Sequence, residues 1–133
     1  MDKEDKFLYW LDLAEYDLTT AEAMQISGRY VYVAFMCQQS LEKLAKGLYN
    51  FYVGDHVPRV HNISFIISKV QDNLNVNVDE KNYRLFDKLS AYYIEGRYPT
   101  FRQKISLLID EEKSRELLNQ TKEVFQWMKS LKK

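Results

Sequence analysis

Apolar residues recur along this chain at steps of three and four, the spacing that gathers them on one face of an α-helix. Phe7, Leu11, Ala14, Leu18, Ala21 and Met24 mark a first helix that should end near Ser27-Gly28. Ala34, Cys37, Leu41, Leu44, Leu48 and Phe51 repeat the pattern in a second helix, up to Gly54. A short third helix is expected from about Asn62 to Asn73, with Ile63, Ile66, Ile67 and Val70 turned inward. A fourth carries Leu85, Phe86, Leu89, Tyr92 and Tyr93, and a fifth carries Leu117, Thr121, Val124, Met128 and Leu131.

The punctuation fits these helices. The chain has four Gly and two Pro, and they are read as helix stops. Between the second and third helices, Asp55-His56-Val57-Pro58-Arg59-Val60 is a loop in which Pro58 disfavours helix at Val57. Asn75-Val76-Asn77-Val78 alternates like a strand, but four residues without a partner strand read better as an extended connection. Asp79 can cap the fourth helix, which runs into Gly96 and Pro99, and Tyr98 to Ile109 form a connection. Asp110-Glu111-Glu112 place negative charge at the positive end of the last helix, while Lys129, Lys132 and Lys133 suit its negative end. Short connectors make neighbouring helices antiparallel. The expected fold is all-α: an antiparallel up-and-down bundle of four long helices plus one short helix, with residues 1–133 forming a single domain.

Composition agrees with one globular domain. A chain of 133 residues, 46% apolar and 29% charged, is long enough to bury roughly two-thirds of its unfolded surface. No window approaches ~18 uninterrupted apolar residues, so no membrane association is expected. The start, Met1-Asp2-Lys3-Glu4-Asp5-Lys6, carries both signs of charge in place of a signal peptide's apolar run, and a cytoplasmic location is the expectation. The lone cysteine, Cys37, cannot form an internal disulfide and reads as a buried thiol. Net charge is zero, but residues 1–27 carry seven acids against two lysines, while Arg97, Arg102 and Lys104 form a basic stretch without an acid. Duplex DNA needs a broad basic face and is not an expected partner. A local basic site is compatible with these charges.

Three separated stretches share the character of one family. The second helix reads Ala34-Phe35-Met36-Cys37-Gln38-Gln39-Ser40-Leu41-Glu42-Lys43-Leu44-Ala45-Lys46, with paired glutamines before a Glu-Lys step and a further Lys. Val57-Pro58-Arg59-Val60-His61-Asn62-Ile63 leads into the third helix, and Ala91-Tyr92-Tyr93-Ile94-Glu95-Gly96-Arg97-Tyr98-Pro99 ends the tyrosine-rich fourth helix. With the early Trp10, Ala14, Asp17, Leu18 and Ala21 and the late Val124-Phe125-Gln126-Trp127, this ordered set resembles the HEPN domain family over nearly the whole chain. The resemblance implies a helical bundle, often a homodimer, that partners a minimal nucleotidyltransferase in toxin–antitoxin or nucleotide-related systems. Many relatives are ribonucleases whose site is an Arg followed, four to six residues later, by a His.

That motif is incomplete here. Arg97 follows the tyrosine-bearing helix, but Arg102 stands where a His would be, and the only histidines, His56 and His61, lie upstream. Cleaving RNA at a 2′-hydroxyl needs proton transfer, for which an Arg is poorly suited. Phosphate binding survives the change, and the resemblance therefore points to a partner module more than to an enzyme. Arg97, Tyr98, Arg102 and Tyr93 are the candidate contacts for nucleotide or RNA phosphate. Against this, Arg97 can satisfy helix-end carbonyls, Arg102 and Lys104 can lie in a solvated connection, and Tyr92, Tyr93 and Tyr98 can be core or dimer contacts. Gln38, Gln39, Glu42, Lys43 and Lys46 interrupt an apolar helix and read as a structural polar network, with Glu42 and Lys46 able to pair at i,i+4. His61 reads as a capping or loop-anchoring side chain. No Glu-x-x-His pair, Cys pair or phosphate-cradling Gly-rich loop is present, so no metal or cofactor is expected. Two alternatives stay open: a ribonuclease toxin with a non-standard site built from Arg97, Arg102 and either Tyr98 or an imported His61, and a purely structural dimerisation module.

Overall fold

In the computed structural model, which describes residues 1–95 and 106–133, five helices account for the secondary structure named here. They are α1 (Lys3–Ile26), α2 (Tyr30–Tyr52), α3 (Ile63–Leu74), α4 (Glu80–Glu95) and α5 (Glu111–Ser130). Residues 106–108 add a helical turn just before α5, and the described residues contain no strand. None of the helices is long and apolar enough to cross a membrane.

Each helix begins or ends for a local reason. Asp2 and Asp5 form a reciprocal cap at the start of α1: the Asp5 amide donates to Asp2 Oδ1 at 2.8 Å and the Asp2 amide to Asp5 Oδ2 at 3.3 Å. Gly28, at φ +77, takes the left-handed turn that lets the Arg29 amide reach back to the Met24 carbonyl at 2.8 Å. Asn62 caps α3, and Asn75 ends it in the left-handed region at φ 55, one of the few residue types that tolerate it. Asp79 accepts the Lys81 amide at 2.9 Å, and Asp110 accepts the Lys113 amide at 2.8 Å. The Asn75–Val78 stretch is an extended connection.

Paired side chains fix the directions. Lys6 meets Asp55 at 3.0 Å, Trp10 Nε1 donates to Asn50 Oδ1 at 2.8 Å, and Lys43 Nζ donates to Asp17 Oδ2 at 2.6 Å. As the α1 partner advances the α2 partner retreats, so the two helices run antiparallel over most of their length. Lys132 with Glu4 and Lys122 with Glu22 set α5 antiparallel to α1 in the same way. The Tyr52 hydroxyl donates to the Leu131 carbonyl at 2.8 Å, joining the ends of α2 and α5, which run parallel. Helix α2 is buried on most of its circumference, and every other helix packs on it. The core around it is filled by Leu41, Leu44 and Leu48 of α2, with Ile66, Phe86 and Phe125 from α3, α4 and α5.

One glycine departs from its sequence reading. Gly47 stops no helix; it lies within α2, where a Cβ would sit 2.9 Å from Trp10 Cβ and 3.4 Å from the Phe7 ring. Its role is to let α1 and α2 approach closely. An alanine would gain about 1 kcal/mol in helix propensity. However, its Cβ is fixed to the α2 backbone and would meet an atom equally fixed to α1, so relief requires the helices to part. Overpacking of this kind costs roughly 1–3 kcal/mol. Gly47→Ala should therefore lower the urea midpoint, by the equivalent of about 1 kcal/mol net; an unchanged or raised midpoint would show that the α1–α2 contact relaxes freely.

Candidate functional site

The polar residues that interrupt α2 meet the loop leading into α3. Gln38 is wholly buried, and its Nε2 donates to Glu42 Oε1 at 2.9 Å and to the His61 carbonyl at 2.8 Å. Lys46 Nζ donates to Glu42 Oε2 at 2.9 Å, and His61 Nδ1 lies 3.0 Å from Glu42 Oε1. Burial pushes the Glu42 carboxyl up, but hydrogen bonds from Lys46 and Gln38, the Lys46 charge and the His61 contact outweigh it and hold the group below its ordinary value. Glu42 is thus an ionised carboxylate with both oxygens engaged. The His61 Nδ1 must then carry a proton toward Glu42, so that in the neutral ring it is Nε2 that holds the lone pair, as the hydrogen-bond network requires. Gln38 Oε1 is buried with no partner among the described residues.

His61 is held without being enclosed. Its side chain is 47% exposed, and its ring centroid lies 5.3 Å from that of Tyr93, at a 53° tilt. Tyr93 meets Phe35 edge-on at 6.2 Å, and Phe35 meets Tyr32 at 5.5 Å. Four rings therefore form a row from the start of α2, past the end of α4, to the loop before α3. That loop is anchored at its other end by Asn50, whose Nδ2 donates to the carbonyls of Gly54 at 3.0 Å and Asp55 at 3.2 Å.

The structure divides the five polar residues of α2. Gln38, Glu42 and Lys46 face the loop before α3, Lys43 turns to Asp17 of α1, and the half-buried Gln39 makes no side-chain hydrogen bond among the described residues. The cap of α3 belongs to Asn62, whose side chain accepts the Phe65 amide at 3.1 Å, while His61 ties the loop to α2 through its carbonyl and its ring. Arg97, Tyr98 and Arg102 lie outside the described residues. Sequence reasoning placed Asp17 in the family resemblance but missed its pairing with Lys43, and it missed the ring row of Tyr32 and Phe35. A signal for Asp17 was present: an acid flanking the apolar stripe of Ala14, Leu18 and Ala21, a position that burial allows only with a cation beside it. A groove of about 250 Å³ between α4 and α5, lined by Lys81, Arg84, Leu85, Lys88, Gln120 and Val124 among others, shares no residue with the His61 cluster.

A family model described as the HEPN domain matches residues 7–131, almost the whole bundle. The chain belongs to the HEPN family. Among solved structures, TT1696 from Thermus thermophilus is similar at a TM-score of 0.77 and 20% identity, over 95% of this chain and 98% of that one. ST0689, described as an archaeal HEPN homologue, is similar at a TM-score of 0.70 and 25% identity, over 98% of this chain and 97% of its own. No curated protein matches the sequence. In this HEPN chain the imidazole held by the bundle belongs to His61, on the approach to α3 and upstream of Arg97.

Glu42 makes this HEPN bundle sensitive to acid. Its carboxyl is held below the ordinary value of 4.5, so its contribution to stability is complete above pH 4.5 and is lost as pH falls through the lowered folded value. Glu42→Gln removes the charge that Lys46 faces, and the loss should be about 2–3 kcal/mol, less than the roughly 3–5 kcal/mol of a wholly buried broken pair. Urea unfolding from pH 7 to pH 3 should show wild type and variant converging below pH 4.5. A gap that stays constant through this range would mean that Glu42 does not titrate with unfolding.

Proposed function

We propose that this HEPN protein is a homodimeric partner of a minimal nucleotidyltransferase, in a toxin–antitoxin-like or nucleotide-related system, and that it holds nucleotide or RNA phosphate near Arg97. The observation that carries this reading is the half-exposed His61, fixed by a buried carboxylate and tilted against Tyr93 two residues before α4 ends. In sequence the chain then continues into Arg97, Tyr98 and Arg102, two cations and a further aromatic, beyond the end of α4 where the imidazole meets Tyr93. Arg and aromatic side chains together suit a nucleotide, whose phosphate takes the charge and whose base takes the ring.

Fluorescence titration with ATP and with a short single-stranded RNA tests the binding. Arg97→Ala should weaken it about tenfold or more, as expected for a charge-assisted hydrogen bond. Tyr93→Ala should weaken it about fivefold or more through lost stacking. Copurification from the native host should recover a nucleotidyltransferase. Recovery of the chain alone, with no binding of either ligand, would leave a purely structural dimerisation module.

A second reading is favoured by one feature. In this reading His61, with Glu42 behind it, supplies the imidazole that the sequence lacks after Arg97, and a carboxylate-held His is suited to accept a proton from a hydroxyl. In a ribonuclease toxin of this kind, induced expression arrests growth, and His61→Ala or Arg97→Ala relieves the arrest. Healthy growth with intact cellular RNA at high expression would sink it.

A further inference from the structure

The charge of the His61 cluster turns on one proton. Glu42 is ionised, and Lys46 cancels it at 2.9 Å; on another flank of α2, Lys43 and Asp17 cancel at 2.6 Å. From α4, Tyr93 brings a phenol, and Asp87 bonds Ser64 of α3 at 2.6 Å. The loop itself adds Arg59, exposed two residues before His61, which offsets Asp87 in the count. Among the described residues, and with a neutral imidazole, these charges cancel, and the ring's Nε2 offers an anion no donor. With one proton more the sum is positive, and the added charge sits on a ring that is 47% exposed.

We infer that His61 is a phosphate-binding residue that takes up a proton as the phosphate docks. This rests on the reading that the site receives nucleotide or RNA phosphate. Nδ1 donates to Glu42 in both protonation states, so the ring needs no reorientation when it becomes charged. Nε2, which has no partner among the described residues, changes from acceptor to donor and meets a phosphate oxygen in a charge-assisted hydrogen bond. Glu42 is the positioning residue: it fixes the ring, and Gln38 ties the backbone carbonyl of the same histidine to the same helix at 2.8 Å. Binding and proton uptake are then one event, and affinity rises as pH falls.

The test uses 2′-O-methylated ApA, a phosphodiester that cannot be cleaved at its 2′-oxygen and whose phosphate does not titrate near neutrality. Calorimetry at one pH, in two buffers of different ionisation heat, counts the protons taken up. Wild type should bind about tenfold more tightly at pH 5.5 than at pH 8, with fractional proton uptake that is greatest between these two pH values. His61→Gln should bind weakly at both pH values without proton uptake. His61→Lys, permanently charged, should bind with an affinity independent of pH. The histidine is exposed enough for both variants to fold, which thermal melts verify. Wild-type binding without proton uptake, or unchanged pH dependence in His61→Gln, overturns the inference. Two further outcomes separate it from the reading beneath it. If binding is lost in Arg97→Ala but pH-independent and equal in wild type and His61→Gln, phosphate binding stands and His61 has no part in it. If the dinucleotide binds at neither pH, both fall.

Discussion

A carboxylate removed from water must be met by cations and donors or it will not stay ionised. Glu42 meets that demand with groups from two parts of the chain: Lys46 and Gln38 from its own helix, and His61 from the loop that leads into α3. Partners one turn away along α2 come with the helix. The third partner is available only if the loop returns across α2 at this height, so satisfying one carboxylate sets where α3 begins. Gln38 reinforces the constraint by bonding the carbonyl of that same histidine.

The rest of the bundle is arranged about the same helix. Close approach of α1 at Gly47 and the Asp17–Lys43 pair hold one side of α2, the Tyr52–Leu131 bond holds its end to α5, and apolar packing against α3 and α4 covers the remainder. Cys37, deep on this helix, has its thiol pushed up to about 12 by burial, chiefly, and is inert for that reason. The oriented polar side chains of this helix lie at the rim instead. There the Glu42–His61 contact emerges beside Tyr93 and Phe35, and a rigid interior presents a half-exposed imidazole. A ligand group held by such a residue meets a ring whose orientation the fold has already set.

Membership of the HEPN family fixes the architecture and leaves the chemistry to be read from the side chains. The two solved relatives share the fold at identities of 20% and 25%. A bundle of this kind can present an imidazole from more than one element. In this chain the one brought to the rim precedes α3 and is backed by a carboxylate of α2.

Much of the fold could be read from the linear sequence. Helix periodicity and the acids before α4 and α5 are local features, because capping and amphipathicity act within a few residues. Even the i,i+4 Glu42–Lys46 pair follows from spacing alone. The tertiary structure decided what depends on residues far apart. Gly47 looks like a helix stop until Trp10 is packed against it, and Asp17 looks like a surface acid until Lys43 arrives. Glu42 and His61 are 19 positions apart, with a loop of no regular spacing between them. The sequence by itself therefore determined the helices and their family, since these rest on short-range geometry. Only packing around α2 decided that a loop histidine becomes an oriented group at the rim, since a buried charge selects its partners in three dimensions.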